Sequence, residues 1–489
     1  MRRRAFLKHA FGAAAASAFE PLGPAPAFAQ SGGSFIIPPY LQQPTPTSII
    51  IRWSEFGTTP SPLEFKEWKT QQQAGNLEYG TAQNGDGIDV RVRVSNLRPD
   101  TEYSYHLPLF NEPLRWKTPP TIGSSEHFRV LVFGDVGYAG STQNSVWSAA
   151  RHIMATETAL PKPHPQPFRF WLLLGDTAYG GPGVQDGTRD AFRRQFFDVF
   201  GSDPEWGLPR FPIWPAFGAH ECFPDSFHRE RSNYDCYDLF SLPGVGAQSA
   251  LTGNDFFYSF DYANAHFVCL NSWLNPLDGG VSNAQHQMED WLTRDLSGRL
   301  AKKAKWKIVF FHTPPYSGGC HPDPFNPDWS DIHMRNRIMP ILDSFGVDLV
   351  LSGYNHVYER SNLISGQYES GTNVATEEWP VLVAGSAMFY RKTRKAGAIC
   401  VVAGSSARPN SFRPQHPLMP YRHSRAGFMT LEVYGDTLCG KFYGSPVEAR
   451  SSNACEVDVD MSFSATSLFD SFVVAKDSLC RPESSRQRP

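Results

Sequence analysis

The 489-residue chain lacks several sequence features that mark other classes of protein. It has no run approaching 18 consecutive apolar residues, so the sequence predicts no transmembrane helix. Its 45 basic and 48 acidic residues give a net charge of -3, which offers no electrostatic reason to expect nucleic acid or an anionic membrane as a partner. Its eight cysteines include no CxxC pair, which argues against a structural zinc site. The class of protein that these exclusions leave is an ordinary multidomain globular protein.

The N-terminal segment has the composition of an export signal. Basic residues Arg2–Arg4 precede an alanine-rich apolar stretch, and the small-x-small sequence Ala27–Ala29 follows. The run Arg3–Lys8 resembles a twin-arginine signal, which exports proteins that have already folded. We therefore predict a signal peptide over residues 1–29 and a periplasmic or secreted location.

Residues 34–118 have the pattern of an all-β domain. The segment Ile49–Trp53 is β-branched and aromatic, and Val90–Val94 alternates with period two, as a half-buried strand does. The segment Leu97–Tyr105 resembles the tyrosine corner of a fibronectin type III sandwich, with Tyr103 as the corner residue. Because this region carries no cluster of ionisable residues suited to catalysis, we expect it to be a scaffold or a wall of the substrate cleft.

From about residue 125, short apolar runs alternate with helical patterns. The runs are Phe128–Phe133, Phe170–Leu174, Ile308–Phe311 and Leu349–Leu351. Ala284–Leu300 has the spacing of an amphipathic helix. This alternation predicts an α/β domain over residues 125–445, followed by a C-terminal extension at 446–489. In such domains the active site lies in loops just beyond the C-terminal ends of the strands.

Five short polar motifs follow or end apolar runs, in the order Gly134–Gly137, Gly175–Tyr179, Gly218–Glu221, Phe311–His312 and Gly353–His356. Each motif alone is weak, because a Gly-Asp pair after a strand is most often a turn and a single buried histidine is most often a core residue. Together, the five motifs are much less likely to occur by chance, because they stand in a fixed order and all lie at predicted strand ends.

This ordered set resembles the purple acid phosphatases of the calcineurin-like phosphoesterase superfamily, whose motifs are GDxG, GDxxY, GNHE, VxxH and GHxH. Val309–His312 fits the fourth motif, and Val357–Arg360 after the last motif is also typical, with Glu359 and Arg360 expected to form a structural pair. The resemblance spans roughly residues 34–444. It implies an α/β metallophosphoesterase sandwich of β-sheets flanked by helices, preceded by an all-β fibronectin type III-like sandwich.

The resemblance also implies a first metal site of the iron type. Its four ligands would be Asp135, Asp176, Tyr179 and His356, and all four are present. Ferric iron is a hard acid that favours carboxylate and phenolate oxygens, and the Tyr179 phenolate would give the centre its colour. Asp176 would bridge to a second, divalent metal, because two metals can clamp both the attacking oxygen and the phosphate.

The second site departs from the family pattern. Ala219 stands at the Asn of GNHE and Tyr354 at the first His of GHxH, which leaves Asp176 and His312 as matched ligands. An alanine methyl coordinates nothing, and Tyr354 is a doubtful ligand because its phenolate is longer than imidazole. We therefore expect the second site to hold zinc, manganese or iron weakly, or to be altered or empty.

His220 matches the family histidine that contacts the phosphate and protonates the leaving group. A positioning role for this histidine is an equal alternative, and Glu221 is expected to orient it. With Asp176, His220 completes the predicted catalytic pair.

These residues predict metal-dependent hydrolysis of phosphate esters, of the acid phosphatase or phosphodiesterase type, on a phosphorylated small-molecule substrate. The loss of two ligands motivates an alternative, a catalytically degenerate phosphatase-fold protein that binds metal or phosphate without turnover. A third hypothesis is a carbohydrate binder that uses sandwich aromatics such as Trp53 and Trp68. The sequence leaves the substrate and the oligomeric state open.

Overall fold

The computed structural model describes residues 35–85, 87–159, 168–222, 235–243, 257–273, 283–320, 329–366, 368, 376–378, 380–384, 387–393, 396–412, 416–449 and 464–476. The predicted signal peptide at residues 1–29 lies outside these ranges. Within them, no helix is both long enough and apolar enough to cross a membrane.

The N-terminal region is all-β, as predicted. Its seven strands are β1 Phe35–Thr45, β2 Ser48–Phe56, β3 Glu64–Glu67, β4 Asn76–Asn84, β5 Gly87–Ser95, β6 Glu102–His106 and β7 Leu114–Lys117. They form two antiparallel sheets, ordered β1-β2-β5-β4 and β3-β6-β7. Alternate apolar residues of both sheets share one core.

Tyr103 has the geometry of a tyrosine corner, because the backbone N–H of Arg98 donates to its hydroxyl at 2.9 Å. The fibronectin type III assignment itself stays a prediction. Trp53 is 1% exposed and belongs to the core, while the Arg115 guanidinium covers the ring of Trp68 at 3.5 Å. Trp53 is therefore not a surface aromatic that a glycan could contact.

Sixteen further strands lie in the described part of the chain: β8 Phe128–Phe133, β9 Phe168–Leu174, β10 Ile213–Ala216, β11 Tyr258–Tyr262, β12 Ala265–Cys269, β13 Trp306–Phe310, β14 Leu349–Ser352, β15 Tyr358–Ser365, β16 Thr376–Glu378, β17 Leu382–Ala384, β18 Ala387–Lys392, β19 Ala398–Ala403, β20 Tyr421–His423, β21 Gly427–Tyr434, β22 Thr437–Gly444 and β23 Ser467–Lys476.

The α-helices described with them are α1 Ser141–Ala159, α2 Arg189–Phe192, α3 Asp198–Phe200, α4 Ala219–Cys222, α5 Asp235–Leu239, α6 Asn283–Leu296, α7 Arg299–Lys303, α8 Trp329–His333 and α9 Met339–Ser344. Two π-helical turns, Arg193–Phe197 and Met334–Ile338, join α2 to α3 and α8 to α9.

Two sheets face each other across the main core of the α/β region. One is ordered β10-β9-β8-β21-β22-β23-β18-β17, and the other β11-β12-β13-β14-β19-β15-β16, with β20 paired to β15. Their facing apolar residues form one large cluster. Residues of α6, α9 and the preceding π-helical turn cover the outer face of the second sheet. This layered arrangement confirms the predicted metallophosphoesterase sandwich.

Strand β23 belongs to the first sheet, between β22 and β18, although the predicted boundary assigns it to a C-terminal extension. Its Asp470 forms a buried, two-pronged ion pair with Arg360 of β15, in the opposite sheet. Arg360 Nε lies 2.6 Å from one carboxylate oxygen, and Nη2 lies 2.9 Å from the other. The pair therefore ties the two sheets together across the core.

The expected pairing of Glu359 with Arg360 is wrong. Successive side chains on a strand point to opposite faces of the sheet, so the two groups cannot meet. Glu359 instead accepts hydrogen bonds from the Ser317 hydroxyl and the Gly318 N–H.

Candidate metal centre

The site lies where four strands end: β8, β9, β13 and β14, the last of which ends at Ser352, shortly before His356. Asp135 lies two positions after the last residue of β8, and Asp176 lies two positions after the last residue of β9. His312 lies two positions after the last residue of β13. The parallel pairings of β8 with β9 and of β13 with β14 bring these ends to one edge of the sandwich. Asp135 and Asp176 adopt left-handed backbone conformations, with φ of 53° and 55°, which turn the chain sharply after each strand.

Asp135, Asp176 and His312 form a buried cluster whose candidate ligand atoms all lie within 4.8 Å of one another. Nδ1 of His312 donates to the Leu174 carbonyl at 2.8 Å, which fixes the ring and its tautomer. Nε2 of His312 lies 3.3 Å from Asp176 Oδ2 but has no hydrogen-bond partner among the described residues. A buried, oriented ring nitrogen without such a partner is what a metal ligand requires.

Tyr179 and His356 adjoin this cluster. The Tyr179 hydroxyl lies 3.0 Å from Asp176 Oδ2, 3.2 Å from Asp135 Oδ1 and 3.1 Å from His356 Nε2. Nε2 of His356 lies 3.5 Å from Asp135 Oδ1. The structure thus brings together all four residues predicted for the first site. Two carboxylates, a phenol and an imidazole are a donor set that fits a hard cation.

Within the cluster, the pKa of Asp176 is lowered and the pKa of His312 is raised. Burial raises the pKa of Asp176, but His312 and His220 outweigh it and hold that pKa well below its usual range. Burial lowers the pKa of His312, but Asp176 and Asp135 outweigh it and raise that pKa to about 9. The carboxylates therefore favour a positive charge at this place, and a metal ion would compete with a proton for it.

His220 lies beside the cluster on α4. Its ring packs against Tyr179 with centroids 4.0 Å apart, and its Nδ1 lies 2.6 Å from Asp186 Oδ2. Burial lowers the pKa of His220, but the carboxylates of Asp176 and Asp186 outweigh it and raise the pKa above its usual value. The side chain is 34% exposed, so its ring can carry a proton to a bound molecule.

The sequence analysis missed Asp186, and its assignment for Glu221 is wrong. Glu221 is fully buried and does not orient His220. It accepts hydrogen bonds from the backbone N–H groups of Asp176, Thr177 and Gly218, and so ties the loop after β9 to the start of α4. Asp186 lies in the loop after Tyr179, where no local sequence pattern indicates which polar residue will reach His220.

The two segments that depart from the family pattern both pass directly against the cluster. A Cβ at Gly218 would lie 2.6 Å from His312 Nε2, and the next residue, Ala219, supplies no ligand atom. Tyr354 has a φ of 69°, donates its backbone N–H to Asp135 Oδ2 at 2.8 Å, and places its ring 5.3 Å from that of His312. Asn355, beside it, donates its side-chain amide to the Ser317 hydroxyl.

Comparison with known proteins gives a consistent family assignment. The family profile "Calcineurin-like phosphoesterase" matches residues 128–358. Purple acid phosphatase 23 of Arabidopsis thaliana is 25% identical over 300 residues, covering 57% of this chain and 58% of the relative. Purple acid phosphatase 22 of the same plant is 28% identical over 350 residues, covering 70% and 65%. The match thus spans less than two thirds of the length of either relative.

The fold has a counterpart among solved structures. The purple acid phosphatase PPD1 from yellow lupin (Lupinus luteus) seeds superposes with a TM-score of 0.65 at 18% identity, covering 90% of this chain and 74% of that one. At this identity the likeness concerns the fold. The family profile, the relatives and the shared fold agree: residues 128–358 form a calcineurin-like phosphoesterase domain, and the chain is similar to purple acid phosphatases.

Proposed function

We propose that the chain hydrolyses phosphate esters in a metal-dependent reaction. The observation that supports this most directly is the buried cluster of Asp135, Asp176 and His312, with the unbonded Nε2 of His312 directed at a carboxylate. Tyr179 and His356 would complete an iron-type first site. When bound, the metal would supply Lewis acidity and lower the pKa of a water molecule.

The residues of the chain itself would perform the remaining steps. The hydrogen bond of His220 Nδ1 to Asp186 leaves the other ring nitrogen, Nε2, to hold a proton for the leaving-group oxygen. The raised pKa of His220 keeps that proton in place at mildly acidic pH. Asp176 would hold the metal, and the carboxylate of Asp186 would favour the protonated form of His220. The buried position of the cluster limits the access of bulk water.

We further propose that the second metal site is altered, because Ala219 supplies no ligand and Tyr354 replaces a histidine of the family motif. The matched ligands are then Asp176 and His312. The double variant Ala219→Asn, Tyr354→His should raise the bound divalent metal by about one ion per chain. An unchanged metal content in this variant, with iron still bound, would contradict the proposal.

Export by the twin-arginine route is also proposed, on the run Arg3–Lys8. Replacement of Arg3 and Arg4 by lysine should retain the protein in the cytoplasm of the producing cell. Export of this variant at the rate of the original chain would contradict the route.

The decisive test of function is hydrolysis of p-nitrophenyl phosphate and of bis(p-nitrophenyl) phosphate, scanned from acidic to alkaline pH. The Asp135→Ala variant should lose both the metal and the turnover. If the metal-loaded chain turns over neither ester faster than this variant, the enzyme proposal fails, and a protein that binds metal or phosphate without turnover takes its place.

A further inference from the structure

An ion pair joins the N-terminal sandwich to the α/β region. Asp89 lies on β5 of the sandwich, and Arg189 is the first residue of α2. Nη1 of Arg189 lies 2.9 Å from Asp89 Oδ1, and Nη2 lies 2.5 Å from Oδ2, so the contact is two-pronged. The Arg189 side chain is 19% exposed and that of Asp89 is 9% exposed, so water and salt screen the pair only weakly. A two-pronged pair of this kind fixes the direction of both side chains.

A short loop connects Arg189 to the histidine beside the metal cluster. Asp186, three residues before Arg189, lies 2.6 Å from Nδ1 of His220 and also accepts the N–H of Gly180. This contact directs the other ring nitrogen, Nε2, towards the cluster, where it lies 3.9 Å from Asp176 Oδ2. The position of Asp186 therefore decides the direction of the His220 ring.

The same loop packs tightly onto the segment that carries His220. Gly187 has a φ of 66°, and its N–H donates to the Ala178 carbonyl at 2.9 Å. A Cβ at Gly187 would lie 2.7 Å from the carbonyl oxygen of His220, so the approach leaves room only for glycine. A shift at the start of α2 would therefore move both Asp186 and the backbone beside His220.

The sandwich also holds the start of α2 through α5. The backbone N–H of Arg189 donates to Oδ2 of Asp235, the first residue of α5, at 2.6 Å. At the other end of α5, the Leu239 carbonyl accepts the hydroxyl of Tyr40, which lies on β1 of the sandwich. Two sets of contacts thus connect the sandwich to the residue at which the loop ends.

We infer that the N-terminal sandwich positions the proton donor of the reaction: Asp89 holds Arg189, which keeps Asp186 in the place where it orients His220. Asp89 and Arg189 act through Asp186 and are positioning residues. This inference rests on the proposed function for its effect on the reaction, but not for its effect on the loop. It gives the sandwich, which supplies none of the residues of the metal cluster, a defined part in the chemistry.

The kinetic test compares two esters whose leaving groups differ in their need for a proton. A displaced proton donor slows the release of phenolate, a poor leaving group, more than that of 2,4-dinitrophenolate, a good one. In the metal-loaded full chain, Asp89→Asn should lower kcat about 3- to 10-fold for phenyl phosphate and less than about 2-fold for 2,4-dinitrophenyl phosphate. KM for both esters should change less than about 2-fold, and the metal content should stay the same.

A milder variant gives the same comparison if Asp89→Asn does not fold. Arg189→Lys keeps the positive charge but loses the planar, two-pronged contact. It should lower kcat for phenyl phosphate in the same direction and by a smaller factor, again with less effect on 2,4-dinitrophenyl phosphate.

A double-mutant cycle tests whether the effect passes through Asp186. Asp186→Asn removes the carboxylate that holds His220, so a further change at Asp89 has no effect left to transmit. The variant with both substitutions should therefore stay within about 2-fold of Asp186→Asn alone for phenyl phosphate. The matched control is Tyr105→Phe, which removes another hydrogen bond between the sandwich and the α/β region, the one to the Pro209 carbonyl. It should leave kcat for both esters unchanged.

Backbone hydrogen exchange, followed by mass spectrometry, tests the link without turnover. Asp89→Asn should speed exchange in the peptide over residues 178–188, because the N–H groups of Gly180 and Gly187 are bonded within this loop. Exchange in the buried strand β14 should stay the same. Tyr105→Phe should leave the exchange of the loop at the wild-type rate.

The outcomes separate this inference from the proposed function. Unchanged exchange in the loop, equal losses on the two esters, full additivity of the two aspartate variants, or the same losses in Tyr105→Phe would overturn the positioning role while the proposed function stands. A chain that turns over no ester would remove the proposed function, and the exchange rates would then decide alone. Faster exchange in Asp89→Asn would support the link, and unchanged exchange would overturn it.

Discussion

Asp186 Oδ2 lies 2.6 Å from Nδ1 of His220, whose ring packs against Tyr179 with centroids 4.0 Å apart. Asp186 also accepts the backbone N–H of Gly180, so the carboxylate is held from both sides. The histidine is thereby oriented between a predicted metal ligand and a carboxylate that favours its protonated form. Residues from two segments, Tyr179 and Asp186 in the loop after β9 and His220 on α4, thus form one unit that holds a proton.

The variant Asp186→Asn should lower the activity at the alkaline side of the pH profile. Loss of the carboxylate lowers the pKa of His220, so the ring loses its proton at a lower pH than in the wild type. We expect kcat to fall about 10-fold, most strongly for esters with poor leaving groups. The measurement is the pH dependence of kcat for phenyl phosphate and p-nitrophenyl phosphate.

The matched control for this variant is Asp190→Asn, which alters a nearby aspartate that is 42% exposed and paired with surface arginines. It should leave the pH profile unchanged. Equal effects of the two variants would contradict a special role for Asp186.

The variant Gly218→Ala should expel the metal. The added methyl would lie 2.6 Å from Nε2 of His312 and would also meet a carboxylate oxygen of Asp176, so two predicted ligands must move. We expect a metal content well below half of the wild-type value and at least about a 10-fold loss of activity. Metal analysis of the dialysed protein checks this.

Gly181→Ala is the comparison for that variant, because a Cβ there has Gln195 as its nearest neighbour, at an ordinary 3.5 Å. This variant should retain metal and activity. If Gly218→Ala keeps its full metal content, the cluster does not bind metal at the predicted atoms.

The variant Asp470→Asn should destabilise the protein strongly. It leaves the buried guanidinium of Arg360 without its counter-charge, which typically costs about 3–5 kcal/mol of the free energy of unfolding. The exposed pair changed by Asp190→Asn should cost less than about 1 kcal/mol. Urea unfolding followed by fluorescence measures both, and equal losses would show that the Arg360 pair does not stabilise the contact between the sheets.

Stability should depend on pH through His266, which lies between Asp261 at 2.9 Å and Asp295 at 2.8 Å. Burial lowers the pKa of His266, but the two carboxylates outweigh it and raise that pKa to about 9. Because the pKa of the folded form exceeds the unfolded value of about 6.5, the contribution is complete below that pH and is lost as pH rises through 9. It amounts to at most about 3 kcal/mol.

The variant His266→Gln should therefore lose less of its free energy of unfolding than the wild type between pH 6.5 and 9. His286→Gln, on the exposed side of α6, should follow the wild type. Parallel curves for the wild type and His266→Gln would show that His266 does not carry the pH dependence.

The sequence predicted the parts of the site that follow directly from strands. Asp135, Asp176 and His312 each follow a buried apolar run, and strand pairing alone brings such positions to one edge of the sandwich. Tyr179 is close to Asp176 in the chain, so its approach is also local. The metal-binding and catalytic roles of these residues stay predictions.

The contacts that the sequence did not predict join segments that are distant along the chain. Asp186 reaches His220 through the path of a loop, and Asp470 reaches Arg360 because β23 returns to the first sheet from far along the chain. Hydrophobic periodicity carries no information on either contact. For Glu359 and Arg360, adjacency in sequence was misleading, since the strand separates them onto two faces.

Asp135, Asp176 and Tyr354 adopt left-handed backbone conformations that lower the stability of the fold. The proposed metal binding requires the first two of these residues in place. Each such conformation costs roughly 1 kcal/mol or more for a residue with a Cβ, and glycine would relieve it. A laboratory selection for thermal stability alone would therefore favour replacements at residues that surround the candidate metal centre. Variants selected for thermostability should be assayed for bound metal at every round, because a mutation that stabilises the fold at these positions can also remove a metal ligand.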